Sequence, residues 1–407
     1  MKQTILAFTF TFILGLNANS FAQWIQVADF VGTERDDLVA FTCAQRAFAG
    51  SGMEVGFQVT KDFYEYDNAT NQWLAIADLP GIARQYAFSF SFADYACVYA
   101  GTNQQGNDLK DGYQYTPQNN TWNAIAPFPG NGSRACASAN IGNMGYAGLG
   151  RNNGSILHND WWQYNLDNNT WIQKSSFPGL VRNLAACFES NGYIYVVGGI
   201  GVNDVALGDT WKYNPQNDNW IELPSLFINP IGSAAVCKVK YSGVMVAGFD
   251  GQSNYYDHAI TFDGYNAAWS NLPPISIDGA RKGSKAFSIN DELYVTCGIK
   301  ADNTRLKSTW KYNQINSIVQ DNAATLGFRI YPIAVSDSFD MLIEEQNIHV
   351  ATNYSINTIT GIEVLKGIIQ PHQRSFKLYT TGLSDGMYLL KMFNENKVFI
   401  QKLIITR

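Results

Sequence analysis

Arg35, Arg84, Arg134, Arg182 and Arg281 recur along the chain, each 11 or 12 residues after a tryptophan. A guanidinium is planar, permanently charged and able to grip a carboxylate through two parallel hydrogen bonds. Several of them converging on one place would hold an anionic ligand. A recurring arginine can equally serve the repeat itself, by bonding carbonyls between its units. Glu54, two residues after Gly52, is the carboxylate best placed for acid–base work. An exposed loop carboxylate with no chemical role reads the same way. A serine nucleophile elbow, a His-Glu-x-x-His zinc motif and a phosphate loop are all absent from the sequence. No metal site and no cofactor are expected.

The elements that must position these side chains follow from a single spacing. Trp24, Trp73, Trp122, Trp171, Trp220 and Trp269 stand 49 residues apart. Gly52, Gly101, Gly150, Gly199 and Gly248 keep the same step of 49, and Gly298 comes one residue late. Asp62, Asp111, Asp160 and Asp209 follow it, as do Tyr66, Tyr115, Tyr164, Tyr213 and then Phe262. Landmarks held at one period define a repeat array. Within residues 182–224, apolar runs at 184–188, 193–197, 210–213 and 219–223 alternate with turn sequences such as "ESNG" and "NPQNDN". That predicts four short antiparallel strands per unit, of about five residues each. Such sheets bury both faces only by packing around an axis, as a β-propeller.

The order Arg, apolar strand, Gly-Gly, loop, Asp-x-Trp-x-Tyr, Asn-rich turn, Trp and Leu-Pro or Phe-Pro resembles the kelch repeat over residues 24–313. Only Gly198-Gly199 is a literal doublet, and repeat five reads "YDHAITF" where repeat four has "GDTWKY". The last repeat stops before its Trp strand, while "WIQVADF" at 24–30 is a Trp strand without partners. The expectation is therefore an all-β fold: a six-bladed kelch β-propeller over 23–313, closed by its N-terminal strand. The repeat tryptophans would pack between blades. The arginines would stand near one mouth of the central channel, on the face that also carries the long loops. In kelch propellers that bind acidic peptides or open sialic acid rings, arginines at similar places contact the ligand. Copper oxidases of the galactose oxidase type share this fold but need two His and two Tyr. The propeller here has only His158 and His258, in different repeats, so a copper oxidase is not expected.

The 407 residues carry a net charge of −6 and no run of Lys or Arg, which argues against nucleic acid as a partner. Residues 1–22 read as a secretory signal peptide, with one Lys before the apolar run from Ile5 to Leu16 and cleavage expected after Ala22. That run is too short to span a bilayer, so no transmembrane segment is expected. Cys43, Cys97, Cys136, Cys187, Cys237 and Cys297 lie singly in strand-like runs, which reads as buried thiols, with one unassignable disulfide as the alternative.

Residues 314–327 read as a linker, and 328–407 as short β runs fit for a small immunoglobulin-like β-sandwich. Tyr331-Pro332, the Gly361 turn, "LSDGMYLL" at 383–390 and the final basic apolar strand resemble the C-terminal sorting domain of type IX secretion in Bacteroidetes-type bacteria. Ile333-Ala334 replace the Asn-Pro that this family usually carries next. The resemblance implies export through the periplasm by the type IX machinery, to the surface or the medium. The expected function is an exported propeller recognising a glycan or an acidic protein segment on the arginine-bearing face. The alternative is a sugar-acid mutarotase on the same propeller.

Overall fold

Each repeat tryptophan faces a repeat aromatic directly across the two outer strands of its blade, as in the registers Trp122↔Tyr115 and Trp220↔Tyr213 across a hairpin and Trp24↔Tyr312 across the ring closure. The ring centroids of these pairs are 4.8, 4.8 and 5.3 Å apart. The indole then reaches the neighbouring sheet: Trp73, Trp122, Trp171 and Trp220 donate through Nε1 to the carbonyls of Ala28, Ala77, Ala126 and Ser175. Trp24 does the same to Pro273 at 2.9 Å, across the ends of the chain. The turn residues Asn71, Asn120 and Asn169 accept both from the repeat tyrosine hydroxyl and from a backbone N–H of the preceding blade. The phrase Asn-x-Trp recurs because it is the joint between blades.

The computed structural model describes residues 23–313, apart from 227, 265–266 and 276–277, and much of 328–405. In that C-terminal stretch, 332–333, 336–337, 344–350, 359–361, 371–374 and 395–396 are not described. The expected signal peptide at 1–22, the expected linker at 314–327, Pro332 and the Gly361 turn lie outside the described residues. The chain divides into two compact units, residues 1–314 and 315–407.

The first unit is a six-bladed propeller. Its described residues form six sheets of four main strands, to which blade one adds the short strand Arg35–Asp36. In blade six, Lys285–Ile289 is innermost and Gln23–Val27 outermost, paired antiparallel with Arg305–Asn313. The N-terminal strand therefore closes the ring, and no blade edge is left open where the chain begins. The second and third strands keep to four or five residues in blades two and three but run to eight or nine in blades one, four, five and six. In blade four they are Tyr193–Ile200 and Ala206–Asn214, because a bulge between Val197 and Gly199 carries the hairpin onward. The bulge also explains the repeated glycine. Gly199, for example, has φ +105° and donates its N–H to the Ile231 carbonyl of the next blade, and a Cβ there would lie 2.8 Å from the Asn183 carbonyl oxygen. All six cysteines are free, and burial pushes the thiols up, as at Cys43, raised to about 12.

The second unit is a β-sandwich of a three-stranded sheet (Phe328–Tyr331, Ser338–Ile343, Ser375–Tyr379) and a five-stranded one that ends in Lys397–Ile405. Leu378 of the first sheet shares a core with Ile356, Leu390, Met392 and Leu403 of the second.

Candidate ligand site at the channel mouth

The arginines expected to converge on a ligand turn away from the channel. Arg35, Arg84, Arg182 and Arg281 are fully buried at 0% exposure. Arg35, Arg84 and Arg182 each grip, with both terminal nitrogens, an aspartate 27 residues on: Asp62, Asp111 and Asp209. A further bond from each goes to a carbonyl in or just after the second strand, Ser51, Ala100 or Gly198. The guanidiniums hold the carboxyls of Asp62 and Asp209 below the usual carboxylate range, against burial, which raises them. Arg281 meets Ser308 at 3.4 Å instead, and Asp278 at 3.5 Å. These four are struts within blades. Arg35, Arg84 and Arg182 have both terminal nitrogens taken and nothing to offer a ligand. Arg281 Nη2 has no hydrogen-bond partner among the described residues, but it lies beside Asp278 and outside the channel lining, so the expectation of an arginine-lined mouth is corrected accordingly.

Arg134 is a different residue structurally. Ser133 occupies the strut position in blade three, and its carbonyl accepts from Gly101 as the Arg84 carbonyl accepts from Gly52. Arg134 stands one position on and clamps the loop of blade two through Asp108, 2.8 Å away. Asp160 thus lacks a guanidinium, and its Oδ1 has no partner among the described residues. In blade five both partners changed together, to Ile231 and His258. Glu54 accepts from the Thr33 hydroxyl on the loop rim, and the channel lining does not include it. Among the described residues no group of three or more His, Cys, Asp or Glu could hold a metal ion.

What does face the channel is the residue two places after each strut position: Asp37, Tyr86, Ala135, Leu184, Ser233 and Gly283. All six have positive φ, between 53° and 66°. Each donates its backbone N–H to the carbonyl of the same position in the preceding blade, from Tyr86→Asp37 at 3.1 Å round to Asp37→Gly283 at 2.9 Å. Six hydrogen bonds thus form a closed belt at one end of the channel. Since the belt is satisfied by backbone, its side chains are free to differ, and they do. The lined cavity is about 430 Å³. Thr42, Ser91, Asn140, Glu189, Lys238 and Ser288 ring its other end, where Lys238 pairs with Glu189.

The belt's charge sits on one side. Burial, and next the neighbouring Asp36, push the Asp37 carboxyl up to about 8, while a hydrogen bond from Tyr86 and the cations Lys285 and Lys282 oppose the shift. The charge of Asp37, and then burial, push the Tyr86 hydroxyl well above its ordinary value, with Arg151 pulling the other way. Asp36 is spoken for by Arg305, 2.6 Å away. Lys282 Nζ lies 4.1 Å from the Phe249 ring centroid, and Arg305 lies 4.9 Å from that of the exposed Phe57. Blades three and four contribute only Ala135 and Leu184. Perturbed, buried ionisable groups in a concave site mark a candidate functional centre. Sequence reading passed over these residues because no motif contains them. Their signal was only that, in a chain that repeats itself, this position reads Asp, Tyr, Ala, Leu, Ser, Gly, and the position before it varies as much.

Residues 48–245 match the KLHDC2/KLHL20/DRC7 Kelch-repeats domain, and residues 329–406 match the Secretion system C-terminal sorting domain. Among solved structures, the one titled "Structure of YjhT" is similar over 71% of this chain and 98% of that one, with a TM-score of 0.60 and 14% identity, which is a likeness of fold. No curated protein matches the chain. The chain joins a kelch-repeat propeller to a type IX sorting domain, which directs it to secretion or to the cell surface.

Proposed function

We propose that this exported kelch-repeat propeller binds a glycan or an acidic protein segment at its channel mouth, and that an anionic group of the ligand enters between blades six, one and two. The observation that carries this reading is the balance of charge there. Arg305 is paired with Asp36, which leaves Lys282 and Lys285 acting on the single carboxyl of Asp37 and Arg151 acting on the neighbouring Tyr86 hydroxyl. Arg151 Nε is buried without a partner among the described residues, a donor aimed at nothing the chain supplies. Half-buried Tyr255 beside Lys282, and exposed Phe57 beside the paired Arg305, offer apolar rings that suit the faces of sugar rings. The test is a screen of neutral and acidic glycans and acidic peptides against the secreted propeller, followed by Arg151→Ala and Lys282→Ala. Loss of one charge-assisted hydrogen bond of ~1.5–3 kcal/mol predicts affinity reduced roughly tenfold or more, with thermal midpoints unchanged. Hits confined to neutral ligands, or hits indifferent to both substitutions, would sink the reading.

A second reading, a sugar-acid mutarotase, is favoured by the Asp37–Tyr86 pair. Ring opening of a cyclic sugar needs one group to protonate the ring oxygen and another to take the anomeric hydroxyl proton, and a carboxyl raised to about 8 can exchange protons at neutral pH. Asp37 replaces Glu54 as the acid–base group in this reading. Anomerisation of α-sialic acid followed by NMR decides it: a rate no faster than the buffer's, or one unchanged in Asp37→Asn, rules it out.

A further inference from the structure

Lys285 breaks the pattern of its own position. It opens the innermost strand of blade six, where the other five blades have Val39, Phe88, Ala137, Ala186 and Ala235. Every strut arginine has an anionic partner within 3.5 Å. Arg305 has Asp36. Lys285 lines the channel and makes no ion pair or hydrogen bond among the described residues. The groups nearest it in charge are Asp37 and, through Asp37, the Tyr86 hydroxyl. A cation left unpaired in an enclosed site costs free energy, and a structural role would have been served by another small apolar residue.

We infer that Lys285 is a carbonyl-reactive amine, and that the channel captures an aldehyde or ketone, such as the open-chain form of a reducing sugar, as an imine on its Nζ. The inference rests on reading the channel as a sugar site, and it adds a covalent step. The Nζ lone pair attacks the carbonyl carbon; the C–N bond forms as the C=O π pair moves to oxygen, which takes a proton from the Asp37 carboxyl. The nitrogen of the adduct returns a proton to the Asp37 carboxylate. The carbinolamine hydroxyl then takes that proton and leaves as water while the nitrogen lone pair closes C=N. The resulting iminium gives up its N–H proton to Asp37, so one carbonyl and one amine yield one imine and one water. The amine must be neutral to attack, and burial lowers the proton affinity of Lys285, with Asp37 opposing.

The experiment treats the secreted protein with glycolaldehyde and sodium cyanoborohydride at neutral pH, maps modified lysines by peptide mass spectrometry, and repeats this with Lys285→Arg and Asp37→Asn. Glycolaldehyde needs no glycan recognition, so this arm is independent of the binding screen. Expected are labelling of Lys285 at least about tenfold faster than of exposed Lys366 and Lys307, no corresponding product in Lys285→Arg, and slowed labelling in Asp37→Asn. Arginine keeps the charge, and an unchanged melting midpoint certifies the fold. Equal or slower labelling of Lys285 relative to the exposed lysines overturns the inference. Glycan binding together with an unreactive Lys285 overturns this inference alone; a reactive Lys285 in a propeller that binds no anionic ligand overturns the binding reading alone.

Discussion

The body of the blades and the belt at the channel mouth obey opposite rules. In the body, the same side chain makes the same contact in blade after blade: tryptophan to a neighbouring carbonyl, asparagine to tyrosine, arginine to an aspartate 27 residues on. At the mouth, the backbone makes the same contact six times and the side chains are all different. Where side chains carry the joint between sheets, substitution leaves a buried donor or acceptor unmet, and the residue type is held. Where backbone carries the joint, the side chain can be given to another task. Repetition in this chain marks structure and departure from it marks the candidate site, so five repeated arginines pointed the wrong way.

The largest effect should come from removing what the body cannot replace. Deleting residues 23–27 takes away the whole outer strand of blade six, including the buried Trp24. The loss should exceed the ~3–5 kcal/mol typical of truncating one buried tryptophan, against a total stability of ~5–15 kcal/mol. An unchanged denaturant midpoint would mean that the ring does not depend on its closure. Next, the struts can be compared with the blade that lacks one. Asp209→Asn strands the fully buried Arg182 and should cost ~3–5 kcal/mol, whereas Asp160→Asn, where no arginine is present, should cost ~1 kcal/mol or less. Equal costs in the two blades would show that the struts are not what Asp160 and its counterparts serve.

The last comparison tests the belt. A carboxyl held at about 8, above its unfolded value near 3.8, binds its proton more tightly in the native state. The stability this contributes is complete below the unfolded value and is lost as pH rises through about 8. Asp37→Asn, which cannot ionise, should therefore gain stability relative to the parent protein between pH 4 and 8, with its midpoint differing little at the acid end. A gap between the two proteins that stays flat across that range would place Asp37 outside the low-dielectric site described here. The same substitution should leave the blade joints alone, because the Asp37 contribution to the belt is its backbone N–H and carbonyl.

Much of this was legible in the residues. The step of 49, the orphan Trp strand at the N-terminus and the unfinished last repeat are enough to require six blades and a closing strand, because edges and apolar faces must be covered. The sorting domain was equally readable, from Tyr331 and the 383–390 stretch. The pairing of Arg182 with Asp209 was visible only as two periodic residue types, with nothing to say that they meet. The strut also looked like a ligand site because a guanidinium that binds a protein carboxylate and one that binds a ligand carboxylate have the same sequence signature.

Direction was the missing quantity. Sequence fixes which residues recur and at what period, since each recurring type answers a local demand: positive φ at Gly101, a turn acceptor at Asn120, a ring to face Tyr115 at Trp122. Whether a side chain two residues before the belt points inward to the channel or back into its blade depends on a twisted sheet and on a neighbour brought in by ring closure. Those are properties of the assembled propeller, and they alone put Asp37, Tyr86 and Lys285, from blades one, two and six, around one cavity.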